Sequence, residues 1–290
     1  MSHRYEVFSA LCGYVGALSF GYTLGYSSPA LPQMTVLGDV LYNNDDAASW
    51  FGSIVTLGGM IGCIAGGSLV ERNGRRWTLM ATALPFFCGW LTIAIGTEIW
   101  ILCFGRLLTG IGCGMVYVAA PLYICETAHC EVRGTLAAGI PLSISSGILT
   151  VYSLGLFLGW RDLALVGTAA PVIGFLLSFR VTESPRWLLS VGHKTDAFNV
   201  LLWLRGTSAV CQNEFHEMEK SFAETSNCAS LLEIISNPEL ARPFVVSVGV
   251  MALQQCTGIN VVRFYMVSLF QVRILTSLYC SNYYFTEYNF

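Results

Sequence analysis

The sequence predicts an all-α membrane protein: a bundle of six transmembrane helices, a polar linker and a seventh transmembrane helix. Hydrophobic residues occupy 54% of the 290 positions and charged residues only 11%, whereas soluble domains carry about 25% charged residues. A bilayer core of roughly 30 Å requires about 20 mainly apolar residues per helix. Seven segments reach that length, near residues 7–28, 51–70, 77–97, 99–122, 136–158, 163–180 and 243–270.

These segments divide the chain into four parts. Residues 1–181 are expected to form the six-helix transmembrane bundle, residues 182–241 a cytoplasmic helical linker, residues 242–271 the seventh transmembrane helix, and residues 272–290 a polar tail. The first segment is too long and too rich in glycine for a signal peptide, and it lacks a small-x-small cleavage site. In the linker, Thr195 and Asp196 are expected to cap one helix, and a second helix is expected from Glu214 to Glu224.

The distribution of basic residues predicts that the N-terminus lies in the cytoplasm. One set of helix ends carries Arg4, Arg72, Arg75, Arg76 and Arg133, whereas the opposite short loops carry Arg161 and several acids. Cytoplasmic loops are enriched in Lys and Arg, so the first set and the linker are assigned to that side. This layout disfavours a seven-helix receptor, which needs an extracellular N-terminus. We expect a multi-pass protein of the plasma membrane.

Several classes of protein are disfavoured by what the sequence contains. A net charge of −3 indicates no nucleic-acid partner. Neither a nucleophile–base pair nor a phosphate loop is recognisable, so we expect no enzyme, no catalytic residue and no cofactor. Cys125, His129 and Cys130 lie together at a helix end but have no second ligand pair at a matching spacing. We therefore expect no metal site, and structural cysteines instead.

The most specific polar motif lies between the second and third helices, where Arg72, Arg75 and Arg76 follow Glu71 and surround Gly74. Glycine allows the positive φ that a tight reversal requires. Guanidinium groups bind carboxylates through paired hydrogen bonds, so the loop could clamp acids on neighbouring helix ends. The alternative is a plain topology anchor on the cytoplasmic side. The motif by itself favours neither interpretation.

Three further features concern the membrane interior. Arg106 lies within an apolar helix, so it must face a partner, water or the interior of the bundle. Glycines spaced four apart, including Gly58, Gly62 and Gly66, predict close helix packing. On the seventh helix, the amides of Gln254, Gln255 and Asn260 could either bond to the hydroxyl groups of a polyol or join neighbouring helices.

An ordered set of motifs covers residues 8–271. In chain order it comprises Arg72-Asn73-Gly74-Arg75-Arg76, Gly105-Arg106, Glu126, Arg133-Gly134, Glu183-Ser184-Pro185-Arg186-Trp187-Leu188, Leu204-Arg205-Gly206 and Gln254-Gln255-Cys256-Thr257-Gly258-Ile259-Asn260. This set resembles the sugar porters of the major facilitator superfamily, which include facilitative glucose transporters and insect trehalose transporters. The segment from Gly21 to Ala30 is most similar to the trehalose transporters and the dileucine-type hexose facilitators.

The resemblance implies sugar translocation by alternating access between two six-helix halves. It implies that Gln254, Gln255 and Asn260 bind a small neutral sugar, a hexose or trehalose. It also implies a charge network that gates the cytoplasmic side, formed by Arg72, Arg75, Arg76, Glu126, Arg133, Glu183 and Arg186. No acid lies between Tyr22 and Tyr26, which favours facilitated over proton-coupled transport.

The chain also departs from the family pattern. Pro141, a helix-breaking residue type, occupies the position of a sugar-binding glutamine on the fifth helix, so one hexose ligand of the family is missing. Arg263 replaces an apolar residue, and the tail from Val272 to Phe290 matches no family motif. The chain covers little more than the first half of a sugar porter. We therefore expect that it does not transport alone, and the alternative function is a truncated, non-transporting family member or partial gene product. The sequence does not decide its oligomeric state, and the linker helices could either brace the gate or lie on the lipid surface.

Overall fold

The fold is almost entirely helical in a computed structural model of the chain, which describes residues 4–36, 45–206, 208–224, 238–267 and 269–270. No strand occurs within those ranges. The helices are α1 (Arg4–Val36), α2 (Asp45–Asn73), α3 (Arg75–Ile95), α4 (Ile99–Thr127), α5 (Cys130–Leu154), α6 (Trp160–Gly167), α7 (Ala169–Ser178), α8 (Pro185–Ser190), α9 (Lys194–Arg205), α10 (Ser208–Glu224) and α11 (Pro238–Cys256). Residues 259–267 are also helical.

The seven predicted membrane spans are confirmed. Seven helical segments in the described ranges are long and apolar enough to cross a bilayer, the sixth being α6 and α7 together, Trp160–Ser178. The first two helices are longer than their apolar segments because polar residues continue the helix past the membrane core. The fifth helix continues through Pro141, since α5 runs from Cys130 to Leu154. Transmembrane helices tolerate an internal proline where hydroxyl groups or neighbouring helices satisfy the freed backbone.

Glycine packing holds α2 against α4 and α1 against α5. A Cβ atom built on Gly62 would lie 2.1 Å from the carbonyl oxygen of Ile111, and one built on Gly21 would lie 2.0 Å from that of Ile144. No side chain fits at these distances, so the backbones approach as closely as only glycine permits. The packing interpretation of the four-residue glycine spacing is thereby confirmed.

The linker helices α8 to α10 belong to the same compact unit as the bundle, which extends to Glu224. The predicted cap of α9 is wrong, because its N-cap is His193 and Thr195 and Asp196 lie in the first turn. Gly192 adopts φ 90°, and the amide of His193 bonds to the carbonyl oxygen of Leu188 at 2.9 Å. This tight closure of α8 starts the next helix earlier than the sequence indicates. The predicted second linker helix is present as α10.

The chain from Thr225 onward forms a second unit. Its described part is α11 followed by helical residues 259–267, with a turn at Thr257 and Gly258 between them. Gly258 adopts φ 70°, a conformation that favours glycine. The tail 272–290 and Gln271 lie outside the described residues.

Candidate functional site

A cluster of charged side chains joins α3, α4 and the segment before α8 at the end of the bundle that carries the linker helices. We call Arg75, Arg76, Glu126, Glu183 and Ser184 the charge cluster. The chain reverses from α2 to α3 through Gly74, at φ 97°. A Cβ atom at this position would lie 2.6 Å from Oε2 of Glu183. The glycine therefore permits both the reversal and the close approach of the carboxylate.

Glu183 binds the N-terminus of α3. Its Oε1 accepts hydrogen bonds of 2.9 Å from the backbone amides of Arg75, Arg76 and Ser184. Helix N-termini bind anions because their first amides lack intrahelical partners and the helix dipole is positive there. Burial raises the pKa of Glu183 above its ordinary value, and the bonds from these backbone amides partly oppose that shift.

Arg75 and Glu126 form the central ion pair of the charge cluster. Nη2 of Arg75 donates to Oε1 of Glu126 at 2.8 Å, and Nε lies 2.7 Å from Oε2. Ser184 Oγ donates to the same carboxylate. The side chains of Arg75 and Glu126 are 14% and 7% exposed, so the pair is mostly buried but keeps a small exposed edge. The expectation that Arg72 or Arg75 lies within ion-pair reach of Glu126 or Glu183 is confirmed by Arg75 and Glu126.

Not every residue of the expected charge network joins this cluster. Arg76 donates from Nε to the carbonyl oxygen of Ser178 at 2.8 Å, which links α3 to the end of α7. Arg72 is exposed and forms no ion pair with any residue of the described ranges. Arg133 and Arg186 are exposed and line, with Glu126, a cavity of about 420 Å³ beside α10.

A second, deeply buried ion pair was not predicted from the sequence. Nη1 of Arg205, the last residue of α9, lies 2.6 Å from Oε1 of Glu6 in α1, and both side chains are only 2% exposed. Arg205 also donates to Glu214 at 2.8 and 2.9 Å and to the carbonyl oxygen of Thr127 at 3.0 Å. We call Glu6, Arg205 and Glu214 the linker anchor, because they attach the linker helices to α1 and α4.

The charge balance of the linker anchor explains how a guanidinium is tolerated there. Burial alone would lower the pKa of Arg205. The hydrogen bond and charge of Glu214 and the charge of Glu6 raise this pKa by more than burial lowers it, so it lies above its ordinary value. Glu6 has an additional donor, the backbone amide of His129 at 3.1 Å. The Leu204-Arg205-Gly206 motif pointed to the arginine. No signal pointed to its partner, because Glu6 lies 199 residues away.

Arg106 faces the interior of the bundle, as expected. The residue is fully buried. It donates to the carbonyl oxygen of Thr23 at 3.1 Å and to the hydroxyl of Ser27 on α1, and its guanidinium lies 5.6 Å from the ring centroid of Tyr26 and 5.2 Å from that of Phe51. Neutral oxygens and aromatic faces therefore surround this cation, and no carboxylate of the described ranges is paired with it.

The amides of the seventh span lie around the turn at Gly258. Gln254 and Gln255 are exposed, and Nδ2 of Asn260 donates to Oε1 of Gln255 at 2.8 Å. Residues five apart point in different directions on a straight α-helix, which repeats every 3.6 residues. The interruption at Gly258 therefore brings these two amides together.

Within the described ranges, no group of three or more His, Cys, Asp and Glu side chains is placed to hold a metal ion.

Comparisons with known sequences place this arrangement in context. A family model described as sugar (and other) transporter matches residues 9–286. The facilitated trehalose transporter Tret1 of Apis mellifera ligustica is 37% identical over 275 residues, which cover 93% of this chain and 55% of the relative. The facilitated glucose transporter member 8 of solute carrier family 2 from Bos taurus is 37% identical over 272 residues, covering 91% and 54%. The chain thus spans about half the length of these relatives.

Solved structures with the same fold include the xylose transporter XylE of E. coli. In its partially occluded inward open conformation it matches with a TM-score of 0.74 and 25% identity, over 90% of this chain and 66% of XylE. The structure of XylE, a major facilitator superfamily proton:xylose symporter, bound to 6-bromo-6-deoxy-D-glucose, matches with a TM-score of 0.77 and 25% identity, over 92% and 62%. The observed bundle is therefore the major-facilitator architecture.

Proposed function

This chain belongs to the sugar transporter family, and we propose that it supplies the first half of a transporter that moves a small neutral sugar by facilitated, alternating access. The relatives are transporters, not enzymes. The substrate class we propose is a hexose or trehalose, because relatives at 37% identity are named as trehalose and glucose transporters. The charge cluster is the observation that carries the proposal.

The charge cluster has the properties of a gate that opens and closes. Arg75 and Glu126 join α3 to α4, while Glu183 joins α3 to the segment before α8. Ion pairs that keep an exposed edge cost less to separate than fully buried pairs, whose charges are cut off from water. Alternating access requires contacts of the first kind. We propose that Arg72 and Arg133, which are exposed, pair with acids of this cluster in other states of the transport cycle, and that Arg186 belongs to the same gate.

The amides around Gly258 are proposed to contact the sugar. Each amide both donates and accepts hydrogen bonds, as does each sugar hydroxyl. Gln255 and Asn260 satisfy one another without substrate, so a sugar could replace that bond without leaving a polar group unpaired. A backbone interruption of this kind is common at transporter binding sites. The competing role is to join neighbouring helices.

Facilitation rather than proton coupling is proposed from the surroundings of Arg106. Its hydrogen-bond partners are the carbonyl oxygen of Thr23 and the hydroxyl of Ser27, neither of which exchanges a proton near neutral pH. A proton-coupled carrier needs a group that binds and releases the proton in each cycle. We therefore expect sugar uptake to be independent of a pH gradient.

The orientation remains as proposed from the basic residues. Arg75, Arg76 and the linker helices lie at one end of the bundle, which we assign to the cytoplasmic face of the plasma membrane. Replacement of the exposed Asn73 by cysteine provides a test. A membrane-impermeant maleimide should label it only in permeabilised cells, and labelling in intact cells would reverse the assignment.

Uptake by a fused protein tests the function. Residues 1–270 would be joined to the corresponding remainder of the trehalose transporter relative, reconstituted in liposomes and assayed with labelled glucose and trehalose. Gln255→Ala should lower uptake roughly fivefold at matched protein levels, since one lost hydrogen bond is worth about 1 kcal/mol. Ser247→Ala is the matched control, because the Ser247 hydroxyl bonds to the carbonyl oxygen of Pro243 on its own helix.

The results discriminate between the alternatives. Uptake that falls with Gln255→Ala but not with Ser247→Ala supports sugar contact, whereas equal uptake by both variants favours the helix-joining role. A fused parent that reaches the membrane but takes up neither sugar would favour the non-transporting family member. Saturable uptake by the unfused 290-residue chain would contradict the requirement for two halves.

A further inference from the structure

The outer surface of the bundle has an apolar groove between α3 and α7. Its volume is about 470 Å³, and its lining includes Trp77, Ala81, Leu84, Phe87, Val172 and Phe175. All eight residues that line it are apolar. In a multi-pass membrane protein, a groove of this composition holds hydrocarbon rather than water.

One end of the groove is charged. The hydrogen bond from Arg76 Nε to the carbonyl oxygen of Ser178 places the start of α3 beside the end of α7. Trp77 follows Arg76 and is 58% exposed. Arg180 follows Ser178 by two residues and is exposed, and its guanidinium forms no hydrogen bond or ion pair within the described ranges. A free cation and an exposed indole therefore mark this end.

The length of the groove corresponds to one leaflet. Trp77 and Phe87 are ten residues apart on α3, which corresponds to about 15 Å at 1.5 Å per residue. The bilayer core is roughly 30 Å thick, so the groove extends from the interface to about the midplane. Tryptophan is enriched at that interface, where its ring lies at the level of the headgroups.

We propose that this groove binds one anionic phospholipid from the leaflet on the linker side. An acyl chain lies along Ala81, Leu84 and Phe87, and the phosphate of the headgroup binds Arg180 beside the indole of Trp77. A charge-assisted bond from the guanidinium favours an anionic headgroup. A zwitterionic headgroup would also bring its own cation towards Arg180, which disfavours it. The proposal depends on membrane insertion and not on sugar transport.

Native mass spectrometry of the delipidated 290-residue chain tests the site. The chain would be titrated in detergent with phosphatidylglycerol or phosphatidylcholine that carries identical acyl chains. We expect one tightly retained phosphatidylglycerol and roughly fivefold weaker retention of phosphatidylcholine, the ratio given by about 1 kcal/mol per basic side chain at a membrane surface. Equal retention of the two lipids would overturn the proposal.

Variants separate the headgroup contact from the chain contact. Arg180→Gln should abolish the preference for phosphatidylglycerol and leave phosphatidylcholine retention unchanged, while Ala81→Phe should fill the groove and weaken retention of both lipids. Ala138→Phe, at an exposed position on α5, is the control and should retain lipid as the parent does. Unchanged retention by Ala81→Phe, at an unchanged melting temperature, would overturn the acyl-chain assignment. Displacement of the bound phospholipid by inorganic phosphate alone, or by cholesterol, would also overturn the acyl-chain assignment.

Discussion

Removal of the arginine from the linker anchor should destabilise the first unit more than any other single change of charge. In Arg205→Met the side chain keeps its approximate length but loses its charge and donors. Glu6, only 2% exposed, then loses the guanidinium of Arg205 and keeps the backbone amide of His129 as a donor. Breaking a buried ion pair by removal of one partner costs about 3–5 kcal/mol, because the remaining charge is left uncompensated.

The size of the effect makes it measurable in detergent. A loss of about 3–5 kcal/mol corresponds to a fall in melting temperature on the order of 10 °C for a domain of this length. Limited proteolysis should also cut between α9 and α10 sooner, because α9 loses its attachment to α1. Lys194→Gln is the control: it removes a pair with Glu219 whose side chains are 63% and 37% exposed, and it should leave the melting temperature unchanged.

The outcome of a second variant decides whether charge is the cause. Glu6→Gln keeps the size of the side chain and its carbonyl oxygen, so it should lower the melting temperature less than Arg205→Met does. If Arg205→Met had the melting temperature and the protease resistance of the parent, the buried ion pair would contribute no stability. The residues of the linker anchor would then only pack against one another.

Three further outcomes follow from the site and the bundle. Gly74→Ala should destabilise by about 1–3 kcal/mol, the cost of a positive-φ backbone conformation that is nearly restricted to glycine, and a melting temperature equal to the parent's would contradict this prediction. Glu183→Ala should cost more stability than Glu183→Gln, because glutamine keeps an oxygen for the α3 amides. Burial raises the folded pKa of Glu183 above the ordinary 4.5, so this residue's contribution to stability falls as pH rises through the folded pKa; Glu183→Gln should remove that dependence, measured as melting temperature against pH. Gly62→Val should push α2 away from α4 at the carbonyl oxygen of Ile111 and lower the free energy of unfolding by about 1–3 kcal/mol or more. The measurement is loss of the monodisperse peak in size-exclusion chromatography.

The spans were predictable because the bilayer imposes their composition and length. Hydropathy located all seven, but it placed the end of the first near residue 28, whereas α1 continues to Val36. Helix ends outside the hydrocarbon depend on local hydrogen bonds instead. The start of α9 shows this, since a left-handed Gly192 and a bond from His193 to Leu188 outweighed the capping preference of Thr195.

The charge cluster was partly predictable because its residues belong to recognisable motifs. Arg75 and Glu126 each lie in a motif at a helix end, so their pairing follows once the fold is known. Motifs do not record which member of a basic group is engaged, and Arg72 proved to be exposed. Glu6 had no such signal, because a single acid near the N-terminus gives no indication of a partner in the linker.

The two ion pairs at this end of the bundle differ in burial, and that difference indicates which of them changes during transport. Arg75 and Glu126 are 14% and 7% exposed, so hydration offsets more of the attraction lost on their separation than it would for a fully buried pair. Separating Arg205 from Glu6 would move apart two charges that are each only 2% exposed, so hydration would not replace the lost attraction. We therefore expect the linker helices to stay fixed to α1 while the contact of α3 with α4 opens and closes. A spin-label distance between α1 and α9 should then stay constant with and without sugar in the fused transporter.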